Sequence, residues 1–204
     1  MVERQLRRRG ISDERVLSAM GVVPRELFVP EEIRDRAYDD AALPIGAGQT
    51  ISQPWIVAAT CQALGLQGDE KILEIGGGRG YSAAVLARLA GRVLSIELVP
   101  ELAQAARSAL GGGVEVITGD GSLGHPAEAP YHAIAVHAAA PSPPRTLLGQ
   151  LAPTGRLVAP VAGEGGEELT LFSRDPSSPE RFRRRRIAPC RFVPLLGAEG
   201  YPTS

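Results

Sequence analysis

The chain has 204 residues, 44% of them hydrophobic and 22% charged, with 22 basic against 23 acidic side chains and a formal net charge of -1. That length suits one domain of ordinary size with a sizeable core. The charge balance excludes a general polyanion binder, the apolar content excludes a disordered chain, and no apolar run approaches the ~20 residues that cross a bilayer.

Arg7, Arg8 and Arg9 near the start are not followed by an apolar stretch, so the segment does not read as a secretory signal. The first fifty residues read as polar and helical. Ser12 is expected to cap a helix over 13–20, with Asp13 and Glu14 near the positive end of its dipole. Pro24 and Pro30 bracket a short helical turn over 25–29. Residues 43–54 are a loop by composition, and a helix is expected over 55–64. From Lys71 the pattern changes to alternating strands and helices. Strands are expected over 71–75, 92–97, 114–117, 131–136 and 155–160, with helices over 81–89, 101–110 and 145–151. Such alternation predicts an α/β protein with a parallel sheet covered on both faces. The tail differs: 168–173 and 183–195 read as an antiparallel pair joined by a turn at 175–179. Cys61 and Cys190 stand far apart with no histidine nearby, which fits reduced thiols in a cytosolic protein and gives no metal site. Lys71 is the only lysine.

The strongest local signal is Glu74 followed by Gly76, Gly78 and Gly80 at the end of the first strand of the alternating region. Glycines there let the backbone turn tightly against a ligand, and the next helix presents free N–H groups. The spacing is GxGxG rather than the GxGxxG of dinucleotide sites. Glu97 ends the next strand, and Asp120 with Gly121 follows the third. In a doubly wound sheet all of these lie at the carboxyl edge, where ligands bind. A carboxylate at position 97 can accept two hydrogen bonds from ribose hydroxyls, and one at position 120 can bond an exocyclic amine. Glycine turns of this kind also occur without a nucleoside, so the glycines alone leave the ligand open.

Together these residues resemble the acidic-x-Gly-x-Gly-x-Gly pattern of S-adenosylmethionine-dependent methyltransferases. The rest of the chain resembles one family, the protein-L-isoaspartate O-methyltransferases. The resemblance is carried by Val23-Pro24-Arg25-Glu26, Phe28-Val29-Pro30, Leu43-Pro44-Ile45-Gly46 and, above all, Gln49-Thr50-Ile51-Ser52-Gln53-Pro54. It continues in register through Gly119-Asp120-Gly121, Ala138-Ala139-Ala140-Pro141 and Phe192-Val193-Pro194-Leu195. It implies a doubly wound, Rossmann-like, mostly parallel sheet in a single methyltransferase domain. An N-terminal helical cap and substrate loop would span 1–54, a cofactor-binding core 55–165, and C-terminal antiparallel strands 166–204.

The implied activity is repair. A methyl group would pass from S-adenosylmethionine, leaving S-adenosylhomocysteine, to the free α-carboxylate of an L-isoaspartyl residue in a damaged protein or peptide. The ester would then close to a succinimide that reopens partly to aspartate. A carboxyl acceptor, which ordinarily titrates near pH ~4, is already ionised at neutral pH, so no strong base is needed. The site must instead desolvate it and hold its oxygen in line, about 3 to 3.5 Å from the methyl carbon. Ser52 matches the family's catalytic serine and would orient the acceptor oxygen. Thr50 and Ile51 would pack near the cofactor and Gln53 near the peptide; apart from the resemblance, Ser52 reads as an ordinary turn serine. Glu74, Gly76, Gly78, Arg79, Gly80, Glu97, Asp120 and Gly121 would hold the cofactor. The expected protein is a cytosolic monomer without nucleic-acid or membrane partners.

Three positions depart from the family. His132 replaces the usual aspartate at the strand edge away from the ligand, where the loss would be a structural hydrogen bond. His137 replaces a small residue, usually threonine, at the ligand end of the same strand. An imidazole there can contact the acceptor, narrow the pocket or titrate near neutrality; the other option is a neighbour turned onto a helix. Arg79 replaces a small polar residue and either meets solvent or puts positive charge near the methionine carboxylate. Two rival readings are a carboxyl methyltransferase that modifies aspartate in a dedicated peptide, and a cofactor-binding protein without transferase activity. The basic cluster at 181–186 reads as a solvated edge strand.

Overall fold

The computed structural model describes residues 1–175 and 177–202; Pro176, within the turn expected at 175–179, lies outside the described residues. The sheet's centre is made by apolar runs long enough to be buried on both faces. These form β3 (Lys71–Ile75), β4 (Arg92–Glu97), β5 (Glu115–Thr118) and β6 (Tyr131–Val136). Three longer strands follow: β7 (Leu151–Gly163), β8 (Gly166–Asp175) and β9 (Ser178–Cys190). The order across the seven-stranded sheet is β5-β4-β3-β6-β7-β8-β9. The first five run parallel and the last two pair antiparallel. The chain starts in the middle at β3, builds outward to β5, then crosses to place β6 on the other side of β3. The switch point therefore lies between the carboxyl ends of β3 and β6, the position where open α/β sheets bind ligands.

Alternating strand residues feed two cores. Ile72, Val93, Ala133 and Ala135 face one that also holds Val16, Leu17 and Met20 of α1 (Glu14–Val22), Val57 and Leu64 of α2 (Pro54–Leu64), Val85 and Leu86 of α3 (Tyr81–Leu86), and Leu102 of α4 (Pro100–Leu110). Leu73, Ile75, Leu94, Ile96, Ile134 and Val136 face the other, covered by Leu147 and Leu148 of α5 (Arg145–Gly149) and by Leu195. Both faces are covered, as expected, but α1, α2, α3 and α4 all lie on one and the short α5 on the other.

Three local expectations are corrected. Asp13, not Ser12, caps α1: its side chain accepts from the Arg15 and Val16 N–H groups at 2.9 and 3.3 Å. The Ser12 N–H is taken up by Gln62 Oε1 at 2.7 Å. Residues 43–54 are not an open loop but contain a hairpin, β1 (Leu43–Gly46) and β2 (Gln49–Ile51), with Leu43 opposite Ile51. Its turn runs through Ala47 and Gly48 at φ +50° and +69°, a left-handed bend that matches the twist of the flanking strands. The strand expected at 155–160 extends over Leu151–Gly163. At the sheet's far edge, β9 carries the arginine cluster, with Arg183 paired to Asp175 at 2.9 Å and Arg186 to Glu168 at 2.7 Å. Charges on an edge strand discourage further strand addition. Among the described residues no helix is long and apolar enough to cross a membrane.

Candidate active site

The turn after β3 is built around two close approaches. Gly76, Gly78 and Gly80 have φ of +78°, +57° and +98°. At Gly78 a side chain would meet that backbone penalty and also lie 3.1 Å from Ile45 Cδ1. At Gly77 a Cβ would overlap the Ser95 hydroxyl. The turn is held from below by Gly76 N–H donating to Ile96 O at 2.8 Å. It is held from the side by Glu97, whose Oε2 accepts from Gly78 N–H at 2.7 Å and whose Oε1 accepts from Val99 N–H at 2.9 Å. Burial pushes the Glu97 carboxyl above its ordinary value, while those N–H groups pull against the shift.

Three adjoining recesses open beside this turn, and Thr50 and His137 stand in the walls of all three. The first, about 620 Å³, also has Gly76, Gly78, Glu97 and Gly121 in its wall with the apolar Ile75, Ile96, Leu98 and Val99. That mixed lining of glycine backbone, a carboxylate and apolar side chains suits a nucleoside. The second, about 380 Å³, brings Ile51 and Ser52 face to face with Gly76, Gly78, Arg79 and Ser82. The third, about 700 Å³, runs outward past Ser52, Gln53, Asp40, Cys190 and Phe192. β2 and its continuation thus bridge the recess that holds Glu97 and an outward cleft.

Beneath the turn, Glu74 is 0% exposed. Its Oε2 accepts from Ser95 Oγ–H at 2.5 Å, and its Oε1 has no hydrogen-bond partner. His137 Nε2 lies 3.5 Å from Oε1, and that nitrogen also lies 2.7 Å from Ser82 Oγ. His137 therefore does both of the things left open: it stands in the cavity walls and turns one ring nitrogen onto α3. Arg79 lines the 380 Å³ recess with its Nε buried and unpaired. Gly80 lies one step behind the recesses, backed by Leu110, where it begins α3. Gln53 Nε2 donates to Asp40 Oδ1 at 2.7 Å.

Asp120 is occupied by the chain's own tail. Its Oδ1 accepts from Ser122 N–H and its Oδ2 from Ala198 N–H, both at 2.8 Å. Burial pushes this carboxyl up, but the Ala198 and Ser122 donors outweigh it and hold it below its ordinary value. Just before Ala198, Val193 and Leu195 pair with the Ala139 backbone, and Val193, Pro194, Leu195 and Leu196 stand in the wall of the 620 Å³ recess, a role for the tail that the sequence pattern did not reveal. Nor did it reveal Ser82 or Arg25. Arg25 Nη2 donates to the Ser52 carbonyl at 2.7 Å across 27 positions, and only its place after Pro24 in a family-like motif hinted at it. His132 was expected to lose a structural hydrogen bond; instead its Nδ1 accepts from Lys71 N–H at 3.1 Å, at the opposite end of the sheet from the recesses. Among the described residues no cluster of three or more His, Cys, Asp or Glu could hold a metal ion.

A family model described as "Protein-L-isoaspartate(D-aspartate) O-methyltransferase (PCMT)" matches residues 1–200. A protein-L-isoaspartate O-methyltransferase 1 of Rhodopseudomonas palustris is 52% identical over 206 residues, covering 98% of this chain and 83% of that protein. A protein-L-isoaspartate O-methyltransferase 2 of Marinobacter nauticus is 53% identical, covering 99% of this chain and 94% of that protein. Among solved structures, a protein-L-isoaspartate O-methyltransferase superposes with a TM-score of 0.81 at 28% identity, over 98% of this chain and 67% of its own. A Plasmodium falciparum structure in complex with S-adenosyl-L-homocysteine, at 22% identity and TM-score 0.82 over 96% of both chains, shares the fold. The chain belongs to the protein-L-isoaspartate(D-aspartate) O-methyltransferase family.

Proposed function

We propose that this protein is a repair enzyme that methylates the free α-carboxylate of L-isoaspartyl residues in damaged proteins and peptides, with S-adenosylmethionine as donor. One observation carries the reading: the Thr50–Ile51–Ser52 segment separates a recess suited to a nucleoside from a cleft open to a peptide, and Ser52 borders both the inner recess and that cleft.

The residues present fit the donor. Each Glu97 oxygen holds one backbone N–H and keeps a lone pair for a ribose hydroxyl. Ile96, Leu98 and Val99 offer flat apolar contact to a purine, and the buried, unpaired Nε of Arg79 suits an anionic end group. When bound, S-adenosylmethionine supplies a methyl group on a cationic sulfur, and the carboxylate oxygen that takes it leaves a methyl ester and neutral S-adenosylhomocysteine.

The chain's own residues then have a limited task. The acceptor is ionised before it arrives, so no base removes a proton. The Ser52 hydroxyl donates one hydrogen bond to a carboxylate oxygen and fixes its direction. Phe28, Ile45, Ile51, Val57 and Tyr81 keep water away, so the carboxylate meets the donor partly stripped of solvent. Gln53 and His137 border the peptide's path.

Free Cys61 and Cys190 suit a reducing cytoplasm. Among the described residues the exposed large apolar side chains are Val22, Leu27, Tyr38 and Leu123, too little apolar area for a permanent subunit interface, which supports a monomer.

The test is labelled S-adenosylmethionine with a matched pair of peptides, one isoaspartyl and one aspartyl. Label in the isoaspartyl peptide alone is expected. Label in neither, with the donor still bound, would overturn the reading in favour of a binding protein; label only in one dedicated aspartyl peptide would overturn it in favour of a maturation enzyme.

A further inference from the structure

Arg25 is the largest fully buried side chain, at 0% exposure. Its Nε donates to the Ala37 carbonyl and its Nη2 to the Ser52 carbonyl, both at 2.7 Å. Its guanidinium lies over the Tyr81 ring, 4.6 Å from the centroid. Nη1 is buried with no hydrogen-bond partner, and among the described residues no carboxylate forms an ion pair with Arg25. Burial works against the charge, and the Tyr81 and Tyr38 hydroxyl groups offset part of that, yet an arginine stays protonated at any physiological pH.

An unneutralised buried cation is costly, and an apolar side chain of similar volume would fill the space at lower cost. Hydrogen bonds to two carbonyls do not require a full positive charge. The charge stands directly behind the cavity wall, because Ser52 and Tyr81, which it touches, both line the recess where donor and acceptor meet. On the reading proposed above, that recess receives an anion and releases a neutral ester. A fixed cation behind Ser52 attracts the first and is indifferent to the second. Within the protein interior this attraction is only weakly screened by salt.

We infer that Arg25 is a positioning residue that sets the Ser52 segment and, through its unpaired charge, makes the site select a carboxylate over a neutral acyl group. It acts on acceptor capture and product release more than on methyl movement. The inference rests on the methyltransferase reading, and its test separates the two.

The protein loaded with S-adenosylhomocysteine is titrated with an isoaspartyl peptide and with the same peptide carrying an α-carboxamide, by calorimetry. The unaltered protein should prefer the acid by about tenfold or more, the scale of one desolvated charge interaction. Arg25→Gln removes the charge and keeps a donor; it should erase most of that preference and raise the peptide KM more than it lowers kcat. Arg25→Lys keeps the charge but not the planar fork; it should retain the preference even if both peptides bind less tightly. A folded Arg25→Gln protein that still prefers the acid as strongly would overturn the inference, as would a folded Arg25→Lys protein that has lost the preference. An unaltered protein that binds both peptides but methylates neither would sink the methyltransferase reading and leave the acid-to-amide ratio still measurable.

Discussion

His137 Nε2 lies 2.7 Å from Ser82 Oγ, a bond that ties the end of β6 to the first turn of α3 across 55 positions. Both partners are buried, with His137 9% exposed, and the same imidazole nitrogen lies 3.5 Å from the orphaned Glu74 Oε1. His137→Ala therefore takes away the partner of the buried Ser82 hydroxyl in the floor of the site. We expect a loss of about 1 to 3 kcal/mol, the cost of leaving buried polar groups unsatisfied, read as a lower urea midpoint at unchanged slope. A midpoint unchanged within error would show that the imidazole serves only the cavity and not the scaffold.

Ser52 carries its carbonyl on Arg25 and leaves its hydroxyl free of any protein partner among the described residues. A hydroxyl held in that way can direct the acceptor without shaping the donor site. Ser52→Ala is expected to lower kcat by about 10- to 100-fold, as for one hydrogen bond to a charged group, with S-adenosylhomocysteine affinity kept within about twofold. Steady-state rates and calorimetry on one preparation decide it. Parallel losses in both would make the serine part of the donor site.

Central strands were the most legible part of the chain. β3, β4 and β6 fall on the expected residues because strands buried on both faces are unbroken apolar runs with few competing conformations. The hairpin of β1 and β2 was hidden because Gly46, Ala47 and Gly48 look like loop composition whether or not the flanks pair. β7 starts at Leu151, four residues before the expected strand at 155–160, and takes in Pro153 near an irregular register with β6. Within the site, the glycine turn, Glu97 and the Ser52 segment could be named from local motifs. The links that assemble them could not: Arg25 to Ser52, Ser82 to His137 and Ala198 to Asp120 span 27, 55 and 78 positions, and no local pattern encodes a partner at that distance.

Glu97 sets a pH limit on donor binding. Burial raises its carboxyl, so the folded protein holds a proton there at a pH where the unfolded chain has released it. For stability the sign follows directly: the contribution is fully present below the unfolded value and is lost as pH rises through the raised one. For the donor the sign is opposite, because a ribose hydroxyl needs the ionised acceptor. S-adenosylhomocysteine affinity should fall as pH drops from 7 towards the raised value, and Glu97→Gln should flatten that dependence while weakening binding at neutral pH by roughly 1.5 to 3 kcal/mol. Calorimetry across the range checks both; an equally steep profile in the variant would place the titrating group elsewhere.

Cys190 borders the outward cleft and Cys61 is enclosed in α2, so their reactivity bears on whether thiol reagents inhibit the enzyme. Burial pushes the Cys61 thiol up to about 12, with Glu74 adding to the effect, and pushes Cys190 up to about 11, with Glu167 adding to it. A raised value means the neutral thiol persists through physiological pH, and the thiolate is the reactive form. Iodoacetamide at pH 7.5 should leave both sites unmodified and the activity intact over a period that fully alkylates the urea-unfolded chain, an outcome read by intact mass. Rapid labelling of the native protein at Cys190, with loss of peptide binding but not of donor binding, would mean that the cleft stabilises the thiolate instead.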